Sequence, residues 1–266
     1  MTKLSISRAW DESKAILRRN AGLFATVALA LFVVPSVISD VVSPATPAGE
    51  IAKPGYWTIL TVIALLIGLV GQLAVIRLAL SPAQTVGQAI AHAGRRALVY
   101  IAASILWLLP FALIGGALAS SVVGQTPPNA GAAAALLLLM AVGFYVAVRM
   151  LLTSAVASEE GLGPVATLKR SWSMSRGNWL RLFAFLVLLI IAAAIAMTAV
   201  AAIVGLAVRA ILGEMEPMSL AMLIVSLASQ IVGAAVTVVF MVMLARMYTQ
   251  LVGQDQPVAS VPNTGS

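Results

Sequence analysis

The segment Leu168-Lys-Arg-Ser-Trp-Ser-Met-Ser-Arg-Gly-Asn-Trp-Leu-Arg-Leu-Phe183 holds the densest cluster of positive charge and tryptophan in an otherwise apolar chain. A helix that begins a few residues before this segment places Val165, Leu168 and Trp172 on one face and the basic residues on the others. A long uncharged stretch follows it directly. A basic, tryptophan-bearing helix that leads into an apolar run is typical of an anchor at the membrane–water interface.

The composition of the whole chain indicates an integral membrane protein. Its 266 residues are 61% hydrophobic and 9% charged, with a mean hydropathy of +1.05. Soluble proteins carry about 25% charged residues, so this chain has too few to form a surface that faces water on all sides. The sequence therefore predicts an all-α, polytopic membrane protein.

Six apolar runs predict six transmembrane helices, because each is long enough to cross a hydrocarbon core of about 30 Å. The spans are expected at 21–42, 56–80, 97–120, 132–155, 179–208 and 219–248. An amphipathic segment precedes the first, third and fifth spans, and the second of these is expected to be a separate short helix from Ser81-Pro82 to Arg95-Arg96. Together they make one membrane domain, 1–252, followed by a tail, 253–266, that is predicted to be disordered.

The order of these features recurs and predicts a threefold internal repeat with units of about 3–80, 81–156 and 157–250. Each unit has an amphipathic segment, a span, a short loop and a second span that ends in an arginine. Leu31-Phe-Val-Val-Pro35 in the first unit matches Leu106-Trp-Leu-Leu-Pro110 in the second. A two-plus-four arrangement of spans without true repeats is the alternative.

The lysines and arginines predict the orientation of the chain. If the three amphipathic helices lie on one side, that side holds fourteen of the 16 basic residues, and the other side holds Lys53 and Arg209. Cytoplasmic segments carry the excess of lysine and arginine. The sequence therefore predicts that both termini, and the three amphipathic helices, lie in the cytoplasm.

The residue inventory argues against catalysis, a metal site and a bound cofactor. The chain has no cysteine and one histidine, His92, which we interpret as an interfacial polar residue rather than a catalytic base. The net charge of +7 alone could suggest nucleic acid, but no nucleic-acid motif accompanies it, so that partner is not expected.

Two groups of residues are candidates for contact with the membrane surface. The arginines that end the even-numbered spans either extend to the interface as stop-transfer charges or bind lipid phosphates. The tryptophans of the amphipathic segments are candidate interfacial anchors. The candidate phosphate ligands are Arg77, Arg149, Lys169, Arg170, Arg176 and Arg246, and the candidate anchors are Trp10, Trp172 and Trp179.

The deepest polar side chains in the spans are Gln72 and Gln230. Hydrogen bonds between helices explain such residues, and contact with a substrate is the alternative. A polar cavity that joined the two glutamines would favour a transporter, whereas a packed, dry bundle would favour a scaffold.

The segment Gly161-Leu-Gly-Pro-Val-Ala-Thr-Leu-Lys-Arg-Ser-Trp-Ser-Met-Ser-Arg-Gly-Asn-Trp179 resembles a known family. It is similar to the membrane domain of glycerophosphoryl diester phosphodiesterases, which also exists as stand-alone bacterial proteins. The shared pattern is a leucine, one or two basic residues, Ser-Trp, and Ser- or Thr-Arg-Gly-Asn before a span, here Leu168 to Asn178. The paired spans extend the resemblance over most of 1–250.

The resemblance implies a bacterial inner-membrane protein that has the membrane domain without the hydrolytic activity. In the fused proteins, hydrolysis belongs to a separate soluble barrel with paired histidines and metal-binding carboxylates, and these 266 residues contain no such domain.

We therefore expect a non-enzymatic scaffold or organiser of the membrane. Its expected partners are the phospholipid bilayer, anionic lipids in particular, and a membrane protein or a second copy of the chain. A transporter or channel-like carrier of a lipid-like or small polar solute is the alternative.

Overall fold

Ten α-helices and one π-helical turn account for the regular structure of this computed structural model, which describes residues 4–43, 55–81, 83–122, 129–213 and 219–255. Every regular element in these ranges is helical, so the predicted all-α class is confirmed. The helices are α1 (Ile6–Arg19), α2 (Ala21–Ala28), α3 (Val34–Val42), α4 (Tyr56–Leu80), α5 (Val86–Ser120), α6 (Ala130–Arg149), α7 (Thr153–Glu159), α8 (Pro164–Met174), α9 (Trp179–Leu212) and α10 (Leu220–Asp255).

Among the described residues, six helical segments are long and apolar enough to cross a membrane. This finding confirms the predicted number of spans and makes the chain a multi-pass integral membrane protein. The segments are Ala21–Val42, Tyr56–Leu80, Val86–Ser120, Ala130–Glu159, Trp179–Ile211 and Leu220–Gly253.

The first span contains a π-helical turn, Leu29–Val33, between α2 and α3. The backbone N–H of Val34 reaches the carbonyl of Leu29, five residues back, instead of the usual four. Pro35 follows directly and has no N–H to donate, so the α-helical hydrogen-bond pattern cannot continue unchanged at this point. The irregularity of the first span next to Pro35 therefore takes the form of a π-helical turn.

The second amphipathic segment and the third span form one helix, which differs from the prediction. α5 runs without a break from Val86 to Ser120, and Thr85 rather than Ser81 caps it. The Thr85 side chain accepts from the backbone N–H of Gln88, and the Gln88 side chain accepts from the backbone N–H of Thr85. Residues 95–109 contain neither glycine nor proline, so the helix continues into the span.

The fourth span is not one continuous helix, which differs from the prediction. α6 stops at Arg149, and the chain turns through Met150 and Leu152 before the short helix α7 begins. All residues from Leu152 to Ser158 are buried. Most of them are small, so α4, α5 and α8 can all pack closely around α7.

The packed core lies at one end of the bundle, which we call the basic end. It comprises α1, α7 and α8, the C-terminal ends of α4, α6 and α10, and the N-terminal ends of α5 and α9. Its fully buried side chains include Leu73, Ile76, Leu152, Leu244 and Met247. Towards the opposite end the spans expose large apolar side chains, such as Leu206 of α9, which suits contact with lipid.

The first two predicted repeat units show similar packing contacts at positions that do not fully correspond, since the counterpart of Phe32 is Trp107 and not Phe111. Gly71 of α4 lies against Phe32, and Gly143 of α6 lies against Phe111. In the third unit the corresponding position is Phe240, whose ring stacks on Phe185. The repeat therefore stays a prediction.

The predicted tail, 253–266, falls mostly outside the described residues. Its first three residues continue α10, which ends at Asp255.

We predict that Gly71→Ala destabilises the protein, because a Cβ there would lie 2.7 Å from Cε1 of Phe32 and 3.0 Å from Cβ of Leu31. Overpacking of this kind costs about 1–3 kcal/mol. Gly68→Ala, on the same helix, is the matched control, since its added Cβ meets nothing within 4 Å. Thermal unfolding in detergent should lower the midpoint for Gly71→Ala alone, and equal midpoints for both variants would contradict the assigned contact.

Candidate functional site at the basic end

The three arginines that end the even-numbered spans each contact the amphipathic segment of the next predicted unit. Nε of Arg77 donates to Oε1 of Gln84 at 3.1 Å. The guanidinium of Arg149 lies 5.1 Å from the centre of the Trp172 ring. Nε of Arg246 lies 3.2 Å from Oε2 of Glu12, as an ion pair without hydrogen-bond geometry at that nitrogen. The third unit thus contacts the first, and the contacts form a closed ring.

Two adjacent carboxylates, Glu159 and Glu160, connect four helices at the basic end. Nη1 of Arg77 on α4 donates to Oε2 of Glu159 at 2.6 Å. Arg170 on α8 and Tyr248 on α10 each donate to Oε1 of Glu160 at 3.1 Å. Glu159 ends α7 and Glu160 follows it directly, so the two carboxylates hold the surrounding helices against α7.

A second set of contacts fixes the C-terminal end of α7. The Arg96 guanidinium donates to the backbone carbonyls of Ala157, at 2.8 Å, and of Glu160 and Leu162. One turn earlier on α5, Nε2 of His92 lies 2.8 Å from the carbonyl of Ser158. A cation and a donor at a helix C-terminus satisfy its free carbonyls and stabilise its dipole. His92 therefore has a specific partner on α7.

These contacts divide the six candidate phosphate ligands into two groups. Arg77, Arg170 and Arg246 are each paired with a carboxylate. None of the ion pairs between described residues includes Arg149, Lys169 or Arg176.

The two faces of α8 differ sharply. The inner face carries Thr167, Ser171 and Met174, which are buried, and Oγ of Ser171 donates to the carbonyl of Arg149 at 3.0 Å. The outer face carries exposed Val165, exposed Lys169 and half-buried Trp172, with exposed Arg176 in the turn that follows. The apolar side chains that the sequence placed on one face are thus turned away from the core, beside exposed positive charges.

Arg149 joins this outer face from α6. Its guanidinium carbon lies 5.4 Å from the ring centre of Tyr145 and 5.1 Å from that of Trp172. The guanidinium also donates to the Tyr145 hydroxyl at 2.9 Å and, through Nη1, to Oγ of Ser175 at 3.4 Å. We call Arg149, Lys169, Trp172 and Arg176 the α8 surface. The exposed side chains of Lys169 and Arg176 are the cations of this surface that an anion can reach most directly.

The three candidate tryptophan anchors have different surroundings. Trp10 on α1 is 44% exposed, and Nζ of Lys14 lies 5.7 Å from its ring centre. Trp172 lies beneath Arg149, as described above. Trp179 stacks on Phe183 with ring centres 5.2 Å apart and contacts Tyr145, so it joins α9 to α6.

The two deep glutamines have different partners. Gln72 accepts from the Tyr100 hydroxyl at 3.4 Å and lines a cleft between α4 and α5. Gln230 donates to Oδ2 of Asp40 at 2.8 Å, and Ser226 donates to the same oxygen at 2.8 Å. The cleft at Gln72 does not include Gln230.

The sequence analysis did not identify Glu12, Asp40, Arg96, Glu159 and Glu160 as contact residues. The scarcity of acidic residues was the available signal, since the chain has nine of them against 16 basic residues. A carboxylate in such a chain is a preferred partner for a partly buried arginine. Sequence spacing could not identify the pairs, because Arg77 and Glu159 are 82 residues apart.

Comparison with known proteins assigns the family. Residues 4–251 match the family described as a domain of unknown function (DUF7847), so the chain belongs to that family. No curated protein matches the chain, and no solved structure matches it. The family match does not connect the chain to the membrane domain of glycerophosphoryl diester phosphodiesterases, and that resemblance stays a prediction.

We predict that Arg77→Gln and Glu159→Gln each destabilise the protein by about 2–3 kcal/mol, because each leaves a partly buried charge without its partner. The double variant should lose less than the sum of the two, with a coupling of about 1–3 kcal/mol. Unfolding free energies in mixed micelles would measure the cycle. Arg95→Gln, at an exposed position beside Arg96, should change stability by less than about 0.5 kcal/mol. Additive losses at Arg77 and Glu159 would contradict the pairing.

Proposed function

We propose that this member of the DUF7847 family is a non-enzymatic scaffold of the membrane, which binds anionic phospholipid at its basic end. The α8 surface is the binding element. Its ligand is the phosphate of a lipid headgroup in the same leaflet, and the bilayer itself is the main partner.

The observation that carries this proposal is the difference between paired and unpaired cations. Carboxylates of the chain already neutralise Arg77, Arg170 and Arg246. The cations of the α8 surface are outside these ion pairs and lie beside Trp172 and exposed Val165. Cations next to exposed apolar and aromatic side chains suit the interface of an anionic membrane, where each contributes about 1 kcal/mol.

The internal packing favours a scaffold over a transporter. The basic end is closed by the buried helix α7 and by the ion pairs around it. Gln230 is bonded to Asp40, and Gln72 contacts Tyr100, so these polar groups serve to join helices. A carrier in which the three predicted units move relative to one another is the second candidate, and its support is the repeat predicted from the sequence.

The excess of lysine and arginine at the basic end supports a cytoplasmic location for that end. In this orientation both termini are cytoplasmic, and the protein lies in the inner membrane. The resemblance of Leu168–Asn178 to the glycerophosphoryl diester phosphodiesterase membrane domain agrees with a role at the lipid surface. A membrane-protein partner or a second copy of the chain would bind along the exposed apolar spans.

We predict that the double variant Lys169→Gln/Arg176→Gln weakens binding of phosphatidylglycerol by about tenfold or more. Two lost interfacial cations correspond to about 2 kcal/mol. Native mass spectrometry of the detergent-solubilised protein, titrated with phosphatidylglycerol and with phosphatidylcholine, would measure the two affinities. The phosphatidylcholine affinity should be unchanged.

The matched control for this experiment is Arg18→Gln/Arg19→Gln. It removes two exposed cations from the basic end, outside the α8 surface. The control should retain most of its selectivity for phosphatidylglycerol. Equal losses in the two double variants would show a general charge effect and would overturn the assignment to the α8 surface.

We predict opposite membrane sides for two exposed serines, Ser173 and Ser43. Because the chain contains no cysteine, Ser173→Cys and Ser43→Cys each introduce a single thiol. In intact cells an impermeant maleimide should label Ser43→Cys only, and labelling of Ser173→Cys should require lysis. The reverse pattern would invert the orientation.

A further inference from the structure

An apolar cleft of about 540 Å³ lies between α4 and α5. Its size falls within the range of sites that bind small molecules. Large side chains of both helices form its walls, and several of them are exposed on the surface of the spans, so the cleft opens towards lipid. The walls include Leu65, Leu66 and Leu69 of α4 and Ile105, Leu108 and Leu109 of α5.

Polar side chains from three helices meet in this cleft. Gln72 comes from α4, Tyr100 and Ser104 come from α5, and Thr153 begins α7. The Tyr100 hydroxyl is 3.4 Å from Oε1 of Gln72, which is a long hydrogen bond. Only that oxygen of the Gln72 amide is bonded to a described residue, so its NH₂ group is available to a ligand. The group offers both donors and acceptors without any charge.

The polar group lies below the level of the arginines at the basic end. Gln72 precedes Arg77 by five residues, and Tyr100 follows Arg96 by four. At 1.5 Å per residue these separations are about 6–8 Å along the helices. A headgroup in contact with Gln72 and Tyr100 would therefore lie nearer to the hydrocarbon core than the phosphates of the bilayer.

We propose that the cleft binds a neutral lipid with a hydroxyl and ester headgroup, of the diacylglycerol class. The headgroup contacts Gln72 and Tyr100, and one acyl chain lies between α4 and α5. A phosphate does not suit the site, because no lining residue is charged. The nearest guanidinium groups along the two helices are those of Arg77, which is bonded to Glu159, and of Arg96, which is bonded to carbonyls at and after the end of α7. An anion there would be desolvated without a cation.

Photo-crosslinking tests this proposal on the full chain in nanodiscs. The probes are a diacylglycerol and a phosphatidylcholine that carry the same diazirine-bearing acyl chain, used at equal mole fraction. The diacylglycerol should label peptides within 65–72 and 100–112 at least fivefold more than the phosphatidylcholine does. Excess unlabelled diacylglycerol should compete, and excess phosphatidylcholine should not.

Variants separate headgroup recognition from simple filling of the cleft. Tyr100→Phe and Gln72→Leu remove polar atoms with little change of volume, and each should reduce the labelling by diacylglycerol towards the level of phosphatidylcholine. Ser226→Ala, which removes a polar atom beside Asp40, is the matched control and should label like the wild type.

Two results would overturn the proposal. Equal labelling by both probes would mean that ordinary bilayer chains fill the cleft, and unchanged labelling in Tyr100→Phe and Gln72→Leu would exclude recognition of the headgroup. The variant Lys169→Gln/Arg176→Gln should label normally, since the α8 surface and the cleft involve different residues. Failure at one site therefore leaves the other unaffected.

Discussion

The ion pairs of Glu159 and Glu160 are the interaction on which the basic end depends. These neighbouring carboxylates lie at the end of α7, and their partners Arg77, Arg170 and Tyr248 come from three other helices. Charges that are withdrawn from water need partners of good geometry, and loss of one partner leaves the other uncompensated. The positions of α4, α8 and α10 are therefore linked through one short segment. Arg96 adds α5 to the same group by binding carbonyls in the last turn of α7 and after it.

The location of the packed core follows from the lipid environment of the spans. In lipid, apolar surface gains little by burial, so helices associate through close packing and hydrogen bonds. α7 supplies both, because its residues are small and its end is polar. The spans elsewhere can keep large side chains such as Leu206 in contact with lipid. The result is a bundle that is joined tightly at the basic end and exposes most of its apolar surface beyond it.

The function that we propose depends on the cations of the α8 surface, which lie outside these ion pairs. Once the carboxylates have bound Arg77, Arg170 and Arg246, the α8 surface keeps its charge for a ligand. The cleft between α4 and α5 has the opposite character, since its polar group at Gln72 and Tyr100 is neutral. Two lipid classes could thus bind the same protein at different depths, an anionic headgroup at the surface and a neutral one below it.

The sequence by itself determined the class of the protein, the number of spans and the side that carries the positive charge. These properties follow from hydropathy and from residue counts, which are local. It also placed polar residues such as Gln72 and Gln230 within the spans. Only the tertiary structure decided that α5 is continuous, that α6 ends at Arg149 and that α7 is buried. It also decided which arginines are paired, because residues as distant as Arg77 and Glu159 meet only when the helices pack.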